Sequence, residues 1–176
     1  MKIMSKKINF KITIEDSIER HPVPVLGVDY KVKIIYKNIK YAELDIENKL
    51  IKISLPNKHK KMNNEKILDM AIEKMYEQIA KVEVERAMEK TRILLGFAPE
   101  DYEIKHINNE LGKCEKDRII INPNIVKYNR NIIDYIILHE YCHLKYKTHC
   151  KGFINLIQKY QPSYVKYDEM IKNIQA

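Results

Sequence analysis

A chain of 176 residues with 45% hydrophobic and 32% charged residues is long enough to bury a core and too apolar for a disordered polymer. No apolar run approaches the roughly 18 residues that span a bilayer, and the opening MKIMSKKINFKITIED breaks its apolar positions with charge, so a cytoplasmic protein with no membrane partner is expected. The net charge of +8 leaves nucleic acid or a nucleotide open as a partner, whereas three cysteines (Cys114, Cys142, Cys150) without framework spacing speak against a disulfide scaffold.

In chain order, KINFKITIED alternates apolar and polar residues as a strand does, and HPVPVLGVDYKVKIIY adds a proline-marked turn, Gly27 and a second alternating strand. KYAELDIENKLIKISLP carries two more short strands about the polar turn Glu47, Asn48 and Lys49, closed by Pro56. The first third is therefore expected to be a small, mainly antiparallel sheet. KHKK, residues 58–61, is a tight basic cluster without aromatic residues to stack bases, and it reads as a solvated loop.

The period then changes to three and four. Leu68, Ile72, Met75, Ile79 and Val82 form a stripe that starts from a cap at Asn63 or Asn64, and Gly96 and Pro99 stop it, giving one long helix to about Leu95. YEIKHI and RIIIN read as strands separated by the loop NELGKCEKD. Asn131 is expected to cap the apolar helix IIDYIILHEYCHL. A last amphipathic helix is expected from near Thr148, with Phe153, Leu156, Ile157 and Tyr160 on one side, ending before Pro162. The order is that of an α+β fold. One domain over 1–176 is expected, with a β-rich lobe over about 1–60 and a helical lobe over about 61–176.

ILHEYCHLKYKTHC, residues 137–150, carries the chemistry. On a helix turning about 100° per residue, His139 and His143 lie about 40° apart and can share one metal ion. Glu140 sits about 100° from His139, placed to reach a metal-bound water rather than the metal, which makes it the expected general base. A catalytic zinc needs a third protein ligand and an open fourth position. His149 can serve only if the helix ends near Leu144 or Lys145 and Lys145 to Thr148, with neither Gly nor Pro, turns the chain back. Glu169 or Asp168 from a downstream helix is the alternative. Cys142 falls beneath the site as a small buried side chain, Cys114 and Cys150 read as packing, and His21, His59 and His106 are scattered without partners.

The sequence resembles the YgjP-like metal-dependent hydrolases, a family grouped with zinc metallopeptidases of the HExxH type. The resemblance rests on Gly112-Lys113-Cys114, RIIIN ending at Asn122, His139-Glu140-Tyr141-Cys142-His143-Leu144, His149, Phe153 and Pro162-Ser163-Tyr164. Lys113 stands where that family has Ser, and Lys147-Thr148 where it has Pro-Asn. The resemblance implies a zincin-like strand-helix core, zinc held by His139, His143 and His149, and a catalytic Glu140.

The expected activity is zinc-dependent hydrolysis, with peptide or unfolded protein as the favoured substrate. RIIIN is a candidate edge for an extended peptide, and Tyr164, Tyr160 or Lys166 is a candidate transition-state donor. The alternatives are a nucleotide pyrophosphatase, which lacks a Gly-rich phosphate loop, and a basic nucleic-acid-binding module with structural zinc, which would call for a fourth protein ligand.

Overall fold

The computed structural model describes residues 22–61 and 63–175, so the strand expected in KINFKITIED, and His21, lie outside the described residues. Val23–Val25 (β1) and Val28–Lys37 (β2) form a hairpin through Leu26 and Gly27, both at positive φ. Glu43–Glu47 (β3) and Leu50–Pro56 (β4) form another through Asn48 and Lys49. The sheet order is β1-β2-β4-β3.

Both hairpins are antiparallel, as a mainly antiparallel sheet requires, and β2 and β4 run parallel between them, from Lys31 opposite Leu50 to Lys37 opposite Pro56. The short link 38–42 starts β3 near the end of β2, so β3 runs back, and β4, returning between the two, must follow the direction of β2. Burial favours that placement. β4 buries Ile51, Ile53 and Leu55, while β3 is exposed along its length and suits an edge.

Asn64–Leu95 (α1) spans about 48 Å. The Asn63 side chain accepts from the backbone N–H groups of Glu65 and Lys66, and Gly96, at φ 75°, ends the helix by donating its N–H to the Arg92 carbonyl. The buried stripe is Leu68, Met75, Ala80, Val84, Ala87 and Thr91, and Val82 is 66% exposed. A strict three-four alternation has a period of 3.5. On a straight helix it drifts by about 20° per heptad, which carries Val82 off the buried face.

Asp101–Ile104 (β5), Gly112–Glu115 (β6) and Arg118–Ile121 (β7) form a second sheet in the order β5-β7-β6. β6 lies inside the segment expected to be a loop, because Gly-Lys-Cys-Glu carries no strand signal of its own. β7, the RIII of RIIIN, is parallel to β5 and antiparallel to β6, so both its edges are taken and no peptide can add to it. Its Ile119, Ile120 and Ile121 are buried, and the centre of the sheet is where they belong.

Arg130–Lys145 (α2), Lys151–Tyr160 (α3) and Tyr164–Gln175 (α4) complete the chain. Asn129, not Asn131, caps α2, its side chain accepting from Ile132 N–H. The β1–β2 turn decides this: Leu26 and Gly27 donate to the carbonyls of Val126 and Lys127, and a Cβ on Gly27 would come within 2.9 Å of Asn129 Cβ. One hydrophobic cluster joins Ile34 and Ile53 of the first sheet, Leu68 and Val84 of α1, Ile121 of β7 and Ile137 of α2. Glu83 of α1 is held by Arg86 and Arg130, and Asp134 of α2 by Arg86 and Lys90, so ion pairs stitch the two helices together. Among the described residues no helix is long and apolar enough to cross a membrane.

Candidate metal centre

α2 ends at Lys145, where the sequence required it to end if His149 was to return. Tyr146 leaves the helix with extended backbone and donates its N–H to the Cys142 carbonyl, while its own carbonyl lies 2.9 Å from His143 Nδ1. The Tyr146 ring then folds over Gly152: a Cβ there would meet Tyr146 Cε1 at 2.5 Å. The glycine that makes the reversal possible therefore sits beyond it, in the first turn of α3. α3 begins at Lys151, a few residues after the start expected near Thr148, with Cys150 at the N-cap position but no side-chain cap bond, and His149 remains in the connecting segment, free to face α2. Lys147 Nζ donates to the carbonyl of Lys116 in the β6–β7 turn and ties this segment to the second sheet.

These elements bring three imidazoles together. His139 Nε2 lies 3.2 Å from His143 Nε2 and 3.0 Å from His149 Nε2. Among the described residues, these three form the group of His, Cys, Asp and Glu side chains that could hold a metal ion, with ligand atoms within 4.8 Å of one another. Phe153 closes the site from α3, its ring centroid 4.7–5.0 Å from each imidazole. A tetrahedron with metal–nitrogen bonds of 2.0–2.1 Å has edges of about 3.3–3.4 Å, so the observed spacing is close to what such an ion would impose.

Protonation agrees. Burial, with His143 and His149 alongside, pushes the pKa of His139 down to about 3, and burial lowers that of His143 against the Tyr146 carbonyl. Imidazoles that resist protonation keep the lone pair that a metal requires. The bond from His143 Nδ1 to Tyr146 leaves its Nε2 as the free nitrogen.

Glu140 is buried in the wall of the same cleft, a cavity of about 530 Å³ that the three histidines line together with Gly112, Lys113, Cys114, Lys147, Asp168 and Lys172. Burial raises its pKa to about 8 and nearby Glu110 adds to the shift, while the Cys114 backbone N–H, which donates to the carboxylate, opposes it. Gly112 leaves the carboxylate its room: a Cβ there would come within 3.0 Å of Glu140 Cγ and 3.3 Å of Oε1.

Asp168 lies 3.8 Å from His139 Nδ1, behind the ring rather than among the three Nε2 atoms, and Glu169 is exposed and does not line the cleft. Neither joins the histidine group. Tyr160, Tyr164 and Lys166 do not line the cleft either; the two tyrosines pack around Tyr135, Leu138 and Phe153. Cys142 is fully buried in that cluster as expected, Cys114 is half-buried at the cleft, and Cys150, expected to pack, is exposed. Lys172 carried no signal that sequence reasoning could use, since α4 brings it to the site from afar; Lys147 lies inside residues 137–150 and Gly112 inside the motif that carries the resemblance, yet nothing local marked either as lining the cleft.

The model of the YgjP-like metallopeptidase domain matches residues 2–174. No curated protein matches the chain. Two of the solved structures that resemble it are metallopeptidase zymogens. One is the metallopeptidase zymogen abylysin of Pyrococcus abyssi, at 22% identity and TM-score 0.47, over 52% of this chain and 95% of that one. The other is the metallopeptidase zymogen jannalysin of Methanocaldococcus jannaschii, at 21% identity and TM-score 0.47, over 53% and 97%.

Proposed function

We propose that this chain, which belongs to the YgjP-like metallopeptidase domain family, is a zinc-dependent peptidase in which His139, His143 and His149 hold the metal and Glu140 is the general base. The observation that carries this reading is the convergence of three Nε2 atoms in the cleft whose wall holds the Glu140 carboxylate. Zinc suits the all-imidazole donor set, and when bound it would supply Lewis acidity to the scissile carbonyl and lower the pKa of the attacking water.

Glu140, whose ionised form a cation held by the three histidines would favour, takes a proton from the attacking water on its carboxylate and returns it to the leaving amine. The Cys114 N–H and the space over Gly112 hold the carboxylate in place for both transfers. β6 replaces RIIIN as the strand offered to an extended peptide. One of its edges pairs with β7, no described strand takes the other, and Gly112, Lys113 and Cys114 line the cleft. Lys147 and Lys172 replace Tyr160, Tyr164 and Lys166 as candidate donors to the developing oxyanion, because they line the cleft. We read residues 1–176 as one domain, with the core cluster shared by the first sheet, α1 and α2 in support. Residues 58–61 lie outside the cleft lining and add nothing to a nucleotide or nucleic-acid reading.

The test is metal analysis with hydrolysis of an unfolded protein by wild type and Glu140→Gln. Both should hold one zinc per chain, and the variant should lose at least ~10²-fold in cleavage rate. Equal cleavage by the two, or wild type without zinc, would overturn the reading.

A further inference from the structure

The two α2 histidines are supported unequally. His143 Nδ1 has the Tyr146 carbonyl at 2.9 Å, a bond that sets its tautomer and its angle. His139 Nδ1 is buried and has no hydrogen-bond partner. An imidazole that binds a metal through Nε2 carries its proton on Nδ1, and a buried N–H of that kind calls for an acceptor. The structure holds one poised beside it. Asp168 Oδ1, from α4, lies 3.8 Å from His139 Nδ1, short of a hydrogen bond by about 0.6–1.1 Å, the reach of a small side-chain rotation.

Asp168 is itself held. The Tyr135 hydroxyl donates to the same Oδ1 at 2.5 Å, and the Tyr135 ring is 1% exposed, stacked on Tyr167 of α4 with centroids 5.1 Å apart and edge-on to His139 at 6.1 Å. Tyr135 and His139 stand four residues apart on one face of α2, so the hydroxyl, the carboxylate and the imidazole form a row that begins and ends on the same helix.

We propose that Asp168 is a positioning residue of the metal centre: fixed by the Tyr135 hydroxyl, its carboxylate accepts the Nδ1–H of His139 and holds that ring with Nε2 turned to the metal. This rests on the reading of His139, His143 and His149 as ligands. It gives α4 a task in the site, and it gives Asp168 a role behind the imidazole in place of one on the metal.

The experiment measures zinc affinity of the full chain by chelator competition, for wild type, His139→Ala, Asp168→Ala, Asp168→Asn and Tyr135→Phe, with the unfolding midpoint of each metal-free protein alongside. Asp168→Ala should bind zinc 10–100-fold more weakly with a metal-free midpoint within about 2 °C of wild type. Asp168→Asn, which keeps an oxygen for the N–H, should recover part of the loss, and Tyr135→Phe should weaken zinc several-fold. In NMR spectra of the zinc-loaded protein, the His139 Nδ1–H should give a slowly exchanging resonance that Asp168→Ala abolishes. Zinc held by wild type, lost from His139→Ala and bound by Asp168→Ala within twofold of wild type would overturn the role of Asp168 and leave the ligands standing. Absence of zinc from wild type would overturn both.

Discussion

Replacing Glu83 by alanine tests whether the ion pairs between α1 and α2 carry stability. The Glu83 side chain is 5% exposed, yet it takes Arg130 Nη2 at 2.6 Å, Arg130 Nε at 3.0 Å and Arg86 Nε at 2.9 Å. Removing one partner of a buried ion pair costs about 3–5 kcal/mol when the other is stranded. Here the cations left behind are 62% and 34% exposed and regain water, and Arg86 keeps Asp134 at 2.7 Å, so the loss should fall to about 2–3 kcal/mol. For a chain of this size that lowers the unfolding midpoint by about 5–10 °C.

The loss must also depend on pH with a definite sign. The hydrogen bond from Arg130 leads in holding the Glu83 pKa below the ordinary 4.5, against the penalty of burial and with further help from Arg86. A depressed folded-state pKa adds stability above the unfolded value and forfeits it as pH falls through the folded value. Thermal unfolding of metal-free protein, followed by circular dichroism, should show the gap between wild type and Glu83→Ala narrowing from about pH 5 downward. A midpoint shift under about 2 °C at neutral pH, or a gap that persists at pH 3, would refute the reasoning.

Two glycines offer further checks. Gly112→Ala would put a methyl 3.0 Å from Glu140 Cγ and 3.1 Å from Ile136 Cγ2, displacing the carboxylate by a few tenths of an ångström. Bound zinc should be unchanged and the cleavage rate should fall on the order of tenfold, measured by metal analysis and peptide hydrolysis. Gly152→Ala would drive a methyl into the Tyr146 ring, shift the carbonyl that anchors His143, and cost about 1–3 kcal/mol of stability. Calorimetry with and without zinc should find the variant destabilised and less stabilised by the metal than wild type.

The sites of local chemistry were legible because their causes lie within a few residues. Asn63 caps α1 and Gly96 ends it through bonds to the adjacent turn, and the four-residue spacing of His139 and His143 puts both on one face of α2 wherever the helix sits. Where two local answers were equally good, contacts from elsewhere chose between them. Asn129 and Asn131 flank the same residue, and the β1–β2 turn pressing on Asn129 selects it as the cap. β6 was invisible because Gly-Lys-Cys-Glu becomes a strand only by pairing with β7.

Read as a string, residues 137–150 determine that two imidazoles and a carboxylate share a helix, and they demand a chain reversal if a third histidine is to join them, because helical geometry is a local rule. Only the tertiary structure decides that the reversal is made, through Gly152 admitting the Tyr146 ring, and that Asp168 stands behind His139 instead of beside its Nε2. The cleft wall of β6 and the lysines near it are likewise set by segments that meet in space, and no periodicity along the chain records such a meeting.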